Sequence, residues 1–362
     1  MERLAQLREA MADAGLELLA LVPGPNLRYL TGLQFHLSER PLLLLVPRRR
    51  RPVMVLPELE RSRVEALECD LVTYSDAAGP ASAFEAAAAG LPPGRLGVEG
   101  RSLRFMELEL LAQAKIGDER VDASMTLAQL RMRKSAAELT KMERAVALAE
   151  AAFREVQPSI RVGMRESELA AVLVQALYRA GSEPELPFAP IVASGPNGAI
   201  PHHFPGDRKL AKGDMLIVDW GATCEGYFSD ITRTFVVAAE PTQPQIEAHE
   251  AVRTASRAAR TLAAPGILAS EVDAAARNTL DGAGYGELFI HRTGHGLGLE
   301  VHEEPYINQN SAVALEPGMT FTVEPGVYIP SLGGIRIEDD VVITRDGSRS
   351  LTSLPRGLLV VG

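Results

Sequence analysis

Along the first third of the chain the spacing of apolar positions changes repeatedly. Leu4, Leu7 and Met11 recur at helical intervals. Residues 16–22, 41–47 and 52–57 are short apolar runs bounded by Pro or charged residues, the pattern of strands covered on both faces. Further helices are predicted over residues 26–32 (closed by Gly32), 58–67, 81–90 and 105–114, and strands over 70–74 and 96–99. This alternation predicts an α/β domain of about 125 residues. Arg48 to Arg51 stand between two apolar runs and read as a charged hairpin turn rather than a binding patch.

Past Met132 the pattern is mainly helical at first. Ser135-Ala-Ala-Glu138 is a capping box, because each side chain can satisfy a free amide of the first turn. Leu139, Met142, Val146, Ala149 and Phe153 then form one apolar stripe. Residues 163–181 align with 266–284 at a constant offset of 103, with seven identities from Gly163/Gly266 to Gly181/Gly284. Each segment starts at Gly, enters a helix at Ser-Glu and stops at Ala-Gly. Duplication is the reading that explains the matched start and stop, and it predicts two α/β halves related by pseudo-symmetry. The boundary is expected near residues 127–134, dividing the chain into 1–128 and 129–362.

Composition narrows the function. Hydrophobic content of 46% and charged content of 23% are ordinary for a soluble globular protein. A net charge of −10 argues against nucleic acid or an anionic membrane as partner. Cys69 and Cys224 give no disulfide framework. The N-terminus lacks the apolar core of a signal peptide, and no run reaches the ~18 apolar residues of a membrane span. The expectation is a reduced, cytoplasmic protein.

The chemistry concentrates between Asp219 and Glu338. Asp219 and Asp230 sit in two strand-like segments separated by Glu225-Gly226, as an antiparallel hairpin would bring together. Three of seven histidines, His291, His295 and His302, fall within twelve glycine-rich residues. Glu324 ends an apolar run, and Arg336 and Glu338 alternate onto one strand face. Alone, each acid reads more simply as a solvated or capping residue. Together, Asp219, Asp230, His295, Glu324 and Glu338 form an oxygen-rich donor set suited to hard or borderline divalent ions. Five donors exceed one catalytic tetrahedral zinc and suit a pair of ions roughly 3.5–4 Å apart that activates water.

These residues, their order and their flanks resemble the pita-bread metallopeptidases: methionine aminopeptidase, aminopeptidase P and prolidase. Asp230-Ile-Thr-Arg-Thr-Phe235, Gly294-His-Gly-Leu-Gly-Leu-Glu-Val-His-Glu303 and Gly334-Ile-Arg-Ile-Glu-Asp339 resemble the proline-specific branch. The likeness covers residues 130–362 specifically and the first third more weakly. It implies an α/β (α+β) protein, with a creatinase-like N-terminal α/β domain followed by a pseudo-symmetric pita-bread catalytic domain. It implies two divalent ions (manganese first; cobalt, zinc, iron or magnesium otherwise) and a homodimer. Glu324 is implied to be both ligand and proton carrier. His202, His291 and His302 are implied donors to substrate, and His202 is chosen over His203 because it lies 17 residues before Asp219. Arg336 and Thr232 are expected to hold the ligands. His203 and His249 read as ordinary, Tyr227 and Tyr328 as packing residues with a polar tip, and Phe188 or Phe204 as part of an apolar wall.

The activity implied is hydrolysis of the Xaa-Pro bond of dipeptides or short peptides, as by an Xaa-Pro dipeptidase. The alternative is an Xaa-Pro aminopeptidase acting on longer peptides. Methionine aminopeptidase is disfavoured by the extra N-terminal domain and by Arg336. A reading of another class is a non-catalytic peptide-binding protein on the same fold, for which missing ligands would be expected.

Overall fold

Two-sided burial accounts for the apolar runs of the first third. The structure, a computed structural model, describes residues 2–362, which separate into compact units of residues 2–131 and 132–362. The first unit holds strands β1 (Leu18–Leu21), β2 (Leu43–Pro47), β3 (Val53–Pro57), β4 (Asp70–Tyr74), β5 (Arg95–Val98) and β6 (Glu119–Asp122). They form one sheet in the order β4-β3-β2-β1-β5-β6, antiparallel across β1, β2 and β3 and parallel elsewhere. Leu19, Leu21, Leu44, Val46 and Met54 face a core with Leu7, Met11 and Leu27. The alternate positions Leu18, Ala20, Leu43, Leu45 and Val55 face Phe84, Ala87 and Leu111. The helices are α1 (Glu2–Asp13), α2 (Pro25–Thr31), α3 (Arg61–Val64), α4 (Ala81–Ala88), α5 (Phe105–Gln113) and α6 (Ser124–Met132), and α6 runs to the start of the second unit.

Two sequence expectations change here. The helix expected over 58–67 shortens to a 3-10 turn, Glu58–Glu60, and α3. Only Val64 of the segment is buried and Leu59 is 61% exposed, so there is too little apolar face to extend it. Strand β6 was not anticipated, because Glu-Arg-Val-Asp at a sheet edge has no buried face to mark it.

The second unit is built twice. Helices α7 (Ala136–Val156) and α8 (Glu166–Ala180) pack on a sheet of β7 (Ile191–Ser194), β8 (Met215–Trp220), β11 (Ile231–Val237) and β19 (Leu359–Val361). A small hairpin, β9 (Thr223–Cys224) and β10 (Tyr227–Phe228), lies between β8 and β11. Helices α9 (Gln243–Leu262) and α10 (Ala269–Gly282) pack on β12 (Gly294–Gly296), β13 (Glu303–Ile307), β14 (Thr320–Val323), β17 (Asp339–Ile343) and β18 (Ser348–Ser350). β15 (Gly326–Ile329) and β16 (Gly333–Arg336) pair as a hairpin.

Ser135 and Glu138 cap α7 reciprocally, and the predicted stripe buries Met142, Val146, Ala149 and Phe153. Phe153 stacks on Trp220 at 4.5 Å and on Phe235 at 5.2 Å. The internal repeat is visible in the backbone. Gly163 and Gly266 have φ of 85° and 86°, a left-handed conformation that favours glycine. Their amides donate to the carbonyls of Leu210 and Leu315, each at 2.8 Å. The pseudo-symmetric halves meet where Thr232 of β11 bridges to Glu338, just beyond β16.

Candidate active site

The β8–β11 pairing brings the two aspartates together, since Asp219 lies opposite Thr232 and Asp230 immediately precedes β11. The turn of the inner hairpin falls at Glu225-Gly226. Asp219 and Asp230 are 7% and 4% exposed. The second half supplies the remaining donors. His295 is the middle residue of β12, Glu324 follows β14, and Glu338 lies between β16 and β17. His295 Nε2 is 3.3 Å from Glu324 Oε1 and 3.7 Å from Asp230 Oδ2. Ligand atoms of Asp230, His295 and Glu338 all lie within 4.8 Å of one another.

Arg336 ties the halves together. Its Nη2 donates to Asp219 Oδ2 at 2.7 Å, its Nε to Thr232 Oγ1 at 3.1 Å and its Nη1 to Tyr328 Oη at 2.9 Å. Thr232 Oγ1 donates to Glu338 Oε2 at 2.5 Å. The backbone amide of Asp230 donates to Asp340 Oδ2 at 3.1 Å.

Burial pushes the carboxyls of Asp230 and Glu338 well above the usual carboxylate range, and neighbouring acids push the same way. Asp219 rises too, through burial that its Arg336 contact only partly offsets. Burial also works against ionised Glu324, but the hydrogen bond and charge of His295 win and hold it at about 2. Four carboxyls thus share one buried region in which ionising all of them is favoured by added cationic charge. Asp219 Oδ1 and Asp230 Oδ1 are buried without a hydrogen-bond partner. Orphaned acceptor oxygens beside an imidazole nitrogen are the donor set of a divalent cation, so the residues present fit a metal centre.

This cluster forms part of the wall of a cavity of about 570 Å³. His202, His291, His302, Phe188 and Phe204 all line it. The His302 ring meets that of His295 edge-on at 4.1 Å, and desolvation in the cavity wall, with His295 and Arg292 beside it, lowers its pKa to about 4 although the residue is partly exposed. His203, the neighbour of His202, is held by Glu166 at 2.9 Å. Both ring nitrogens of His291, an expected donor to substrate, are engaged within the protein. Nδ1 faces the Arg292 carbonyl at 2.7 Å, so it carries the proton. Burial lowers the His291 pKa, so Nε2 of the neutral ring accepts from Tyr328 Oη at 2.8 Å.

Tyr328 therefore belongs to the site rather than to packing alone. The period-two alternation across the β15–β16 hairpin carries the signal, since Tyr328 pairs with Gly334, two residues before Arg336. Arg292 and Asn308 also line the cavity, and the Arg292 guanidinium lies 4.5 Å over the Tyr306 ring. Neither belongs to a spacing that singles it out.

The fold and site define a metal-centred hydrolase built on a duplicated α/β unit. Residues 140–345 match metallopeptidase family M24, and residues 3–133 match the creatinase/prolidase N-terminal domain. An Xaa-Pro dipeptidase of Lactobacillus delbrueckii subsp. lactis is 35% identical, over 99% of this chain and 98% of that protein. The crystal structure of dipeptidase PepE from Mycobacterium ulcerans superposes with a TM-score of 0.92 at 38% identity, covering 99% of this chain and 97% of the other. Recombinant prolidase from Thermococcus sibiricus superposes with a TM-score of 0.94 at 34% identity, covering 99% and 98%. The chain belongs to metallopeptidase family M24, with a creatinase-like N-terminal domain ahead of a pseudo-symmetric pita-bread domain. It is a metallopeptidase, and its family implies divalent metal ions.

Proposed function

We propose that the protein is a dinuclear exopeptidase of the Xaa-Pro dipeptidase type, with manganese as its metal. One observation carries the reading: Asp219, Asp230, His295, Glu324 and Glu338 line one cavity together with Phe188, Phe204 and Arg292. Asp219, Asp230, His295, Glu324 and Glu338 would hold the ions. Bound divalent ions supply Lewis acidity and a water ionised near neutral pH.

The side chains divide the remaining tasks. Glu324 takes the proton of the attacking water and returns it to the departing proline nitrogen, so water is consumed and a free amino acid and proline leave. His302 and His202 offer N–H donors to the developing oxyanion. Arg336 fixes the rotamer of Asp219, and Tyr328 links Arg336 to His291, which stiffens the wall between them. An Xaa-Pro bond has no amide hydrogen and a locked φ, so an apolar wall is a better fit than a backbone-pairing groove. Arg336 is committed to Asp219, which leaves Arg292 as the cavity guanidinium available to a dipeptide's carboxylate. Identity to named dipeptidases over nearly the whole chain supports the same substrate class. Cytoplasmic location and a homodimer are part of the proposal. No described helix is long and apolar enough to cross a membrane.

The test is release of the first residue from an Xaa-Pro dipeptide and an Xaa-Pro-Xaa tripeptide, by chelator-stripped protein with and without manganese. Manganese-dependent cleavage confined to the dipeptide is expected. Equal or faster cleavage of the tripeptide would move the assignment to an Xaa-Pro aminopeptidase, and metal-independent activity would overturn the dinuclear reading.

A further inference from the structure

Glu166 lies outside the metal cluster. It is the first residue of α8, its side chain is fully buried, and its carboxylate is surrounded by donors. Oε1 accepts from the Ser194 amide at 2.8 Å and from Ser194 Oγ at 2.7 Å. Oε2 accepts from His203 Nε2 at 2.9 Å and from the Gly206 amide at 3.4 Å. Asn197 Nδ2 reaches both oxygens, at 3.1 and 3.0 Å. These donors come from the end of β7 and from the loop that follows it. That loop carries His202, His203 and Phe204, all of which line the cavity.

The other side of the loop is fixed by different means. A Cβ on Gly198 would come within 2.8 Å of the Gly334 amide nitrogen, so the loop backbone lies directly on β16. The Pro201 carbonyl accepts from Arg336 Nη1 at 3.4 Å. The segment is thus held at Gly198 and Pro201 by β16 and Arg336, and at Ser194, Asn197, His203 and Gly206 by one buried carboxylate. His202 and Phe204 are themselves exposed, and among the described residues no hydrogen bond fixes the His202 ring. The backbone that carries them is therefore pinned on one side by Glu166 and on the other by β16 and Arg336.

The second half has a comparable arrangement. Asp273 of α10, also fully buried, accepts from the Thr293 amide at 3.0 Å and from Thr293 Oγ1 at 2.8 Å. Its partner Arg277 donates to the carbonyls of Phe289 and His291. Asp273 does not occupy the repeat equivalent of Glu166, which at the offset of 103 is Ala269. Both repeat helices nevertheless bury a carboxylate against a loop that carries site histidines.

We propose that Glu166 is a positioning residue for substrate binding, acting through His203 and the Gly206 amide to hold His202 and Phe204 as one wall of the cavity. The proposal rests on the Xaa-Pro peptidase reading. Glu166→Gln keeps the shape but turns an acceptor oxygen into a donor facing donors. His203→Ala removes one tether from a half-buried loop position, where folding is not at stake. For both variants of the metal-loaded full-length protein, KM for an Xaa-Pro dipeptide is expected to rise about tenfold, with kcat and bound metal within about threefold of wild type. Hydrogen–deuterium exchange of residues 194–206 is expected to accelerate while residues 290–303 stay as in wild type. The double variant is expected to be no worse than Glu166→Gln alone.

Unchanged exchange over residues 194–206 in both variants would overturn the tether. Faster exchange with unchanged KM would overturn its role in substrate binding, as would a loss confined to kcat and metal content. A wild type inactive on Xaa-Pro peptides would overturn the substrate reading instead, and the exchange readout would then decide the tether by itself.

Discussion

Arg336 is the side chain on which most of the site's geometry converges. Its planar fork reaches Asp219, Thr232 and Tyr328 at once, and Thr232 passes the contact on to Glu338. A lysine keeps the charge but has one nitrogen in place of three, so it cannot satisfy partners in three directions. Arg336→Lys is expected to lower metal affinity or kcat/KM by roughly 10- to 100-fold, the range for residues that orient ligands. Manganese titration and steady-state kinetics would check this, and values within twofold of wild type would remove Arg336 from that role. Arg336 was legible in the sequence because it shares strand parity with Glu338. Tyr328 was not, because a tyrosine in an apolar strand reads as core until the hairpin partner is known. The commitment of both His291 nitrogens was equally out of reach, since a hydrogen-bond partner 37 residues away depends on strand pairing.

At the level of elements, β12 places His295, and it can do so only because glycine flanks the histidine. A Cβ on Gly294 would sit 1.8 Å from the Thr322 carbonyl oxygen of β14. Backbone cannot yield as the tip of a long side chain can, so the strands must separate or His295 must move. Gly294→Ala is expected to destabilise the catalytic unit by about 1–3 kcal/mol, the usual cost of overpacking, and to weaken metal uptake. Denaturant unfolding and metal analysis would measure both, and a variant matching wild type in each would show that the strands tolerate the methyl group. The capping box of α7, the stripe behind it and the repeated Gly-to-Gly helices were readable in advance, because caps and periodicity are local. The truncation of the 58–67 helix and the edge strand β6 were not. Each depends on what the rest of the sheet leaves exposed.

For the molecule as a whole, acid sensitivity should include a contribution far from the metal centre. His249 is buried in α9, and burial lowers its pKa from 6.5 to about 4. The folded state therefore favours the neutral ring more than the unfolded state does. That stability is fully present above about pH 6.5 and is lost as pH falls from there toward 4. Between pH 7 and 5 the loss attributable to His249 is about 2 kcal/mol, an order-of-magnitude figure. Urea unfolding of wild type and His249→Gln across that range should show a shallower pH dependence in the variant. Parallel curves would assign the acid sensitivity to other groups. The sequence by itself determined which residues had chemistry to offer: the ordered acids, His295, the repeat and the two-part chain. Such features are carried by residue type and local spacing, which survive without coordinates. Only the tertiary structure decided which donors meet, which nitrogens are already bonded, that Tyr328 and Arg292 border the same cavity, and that Glu166 holds the loop behind its wall. Those facts depend on pairings between residues tens of positions apart, and no local pattern encodes the register that creates them.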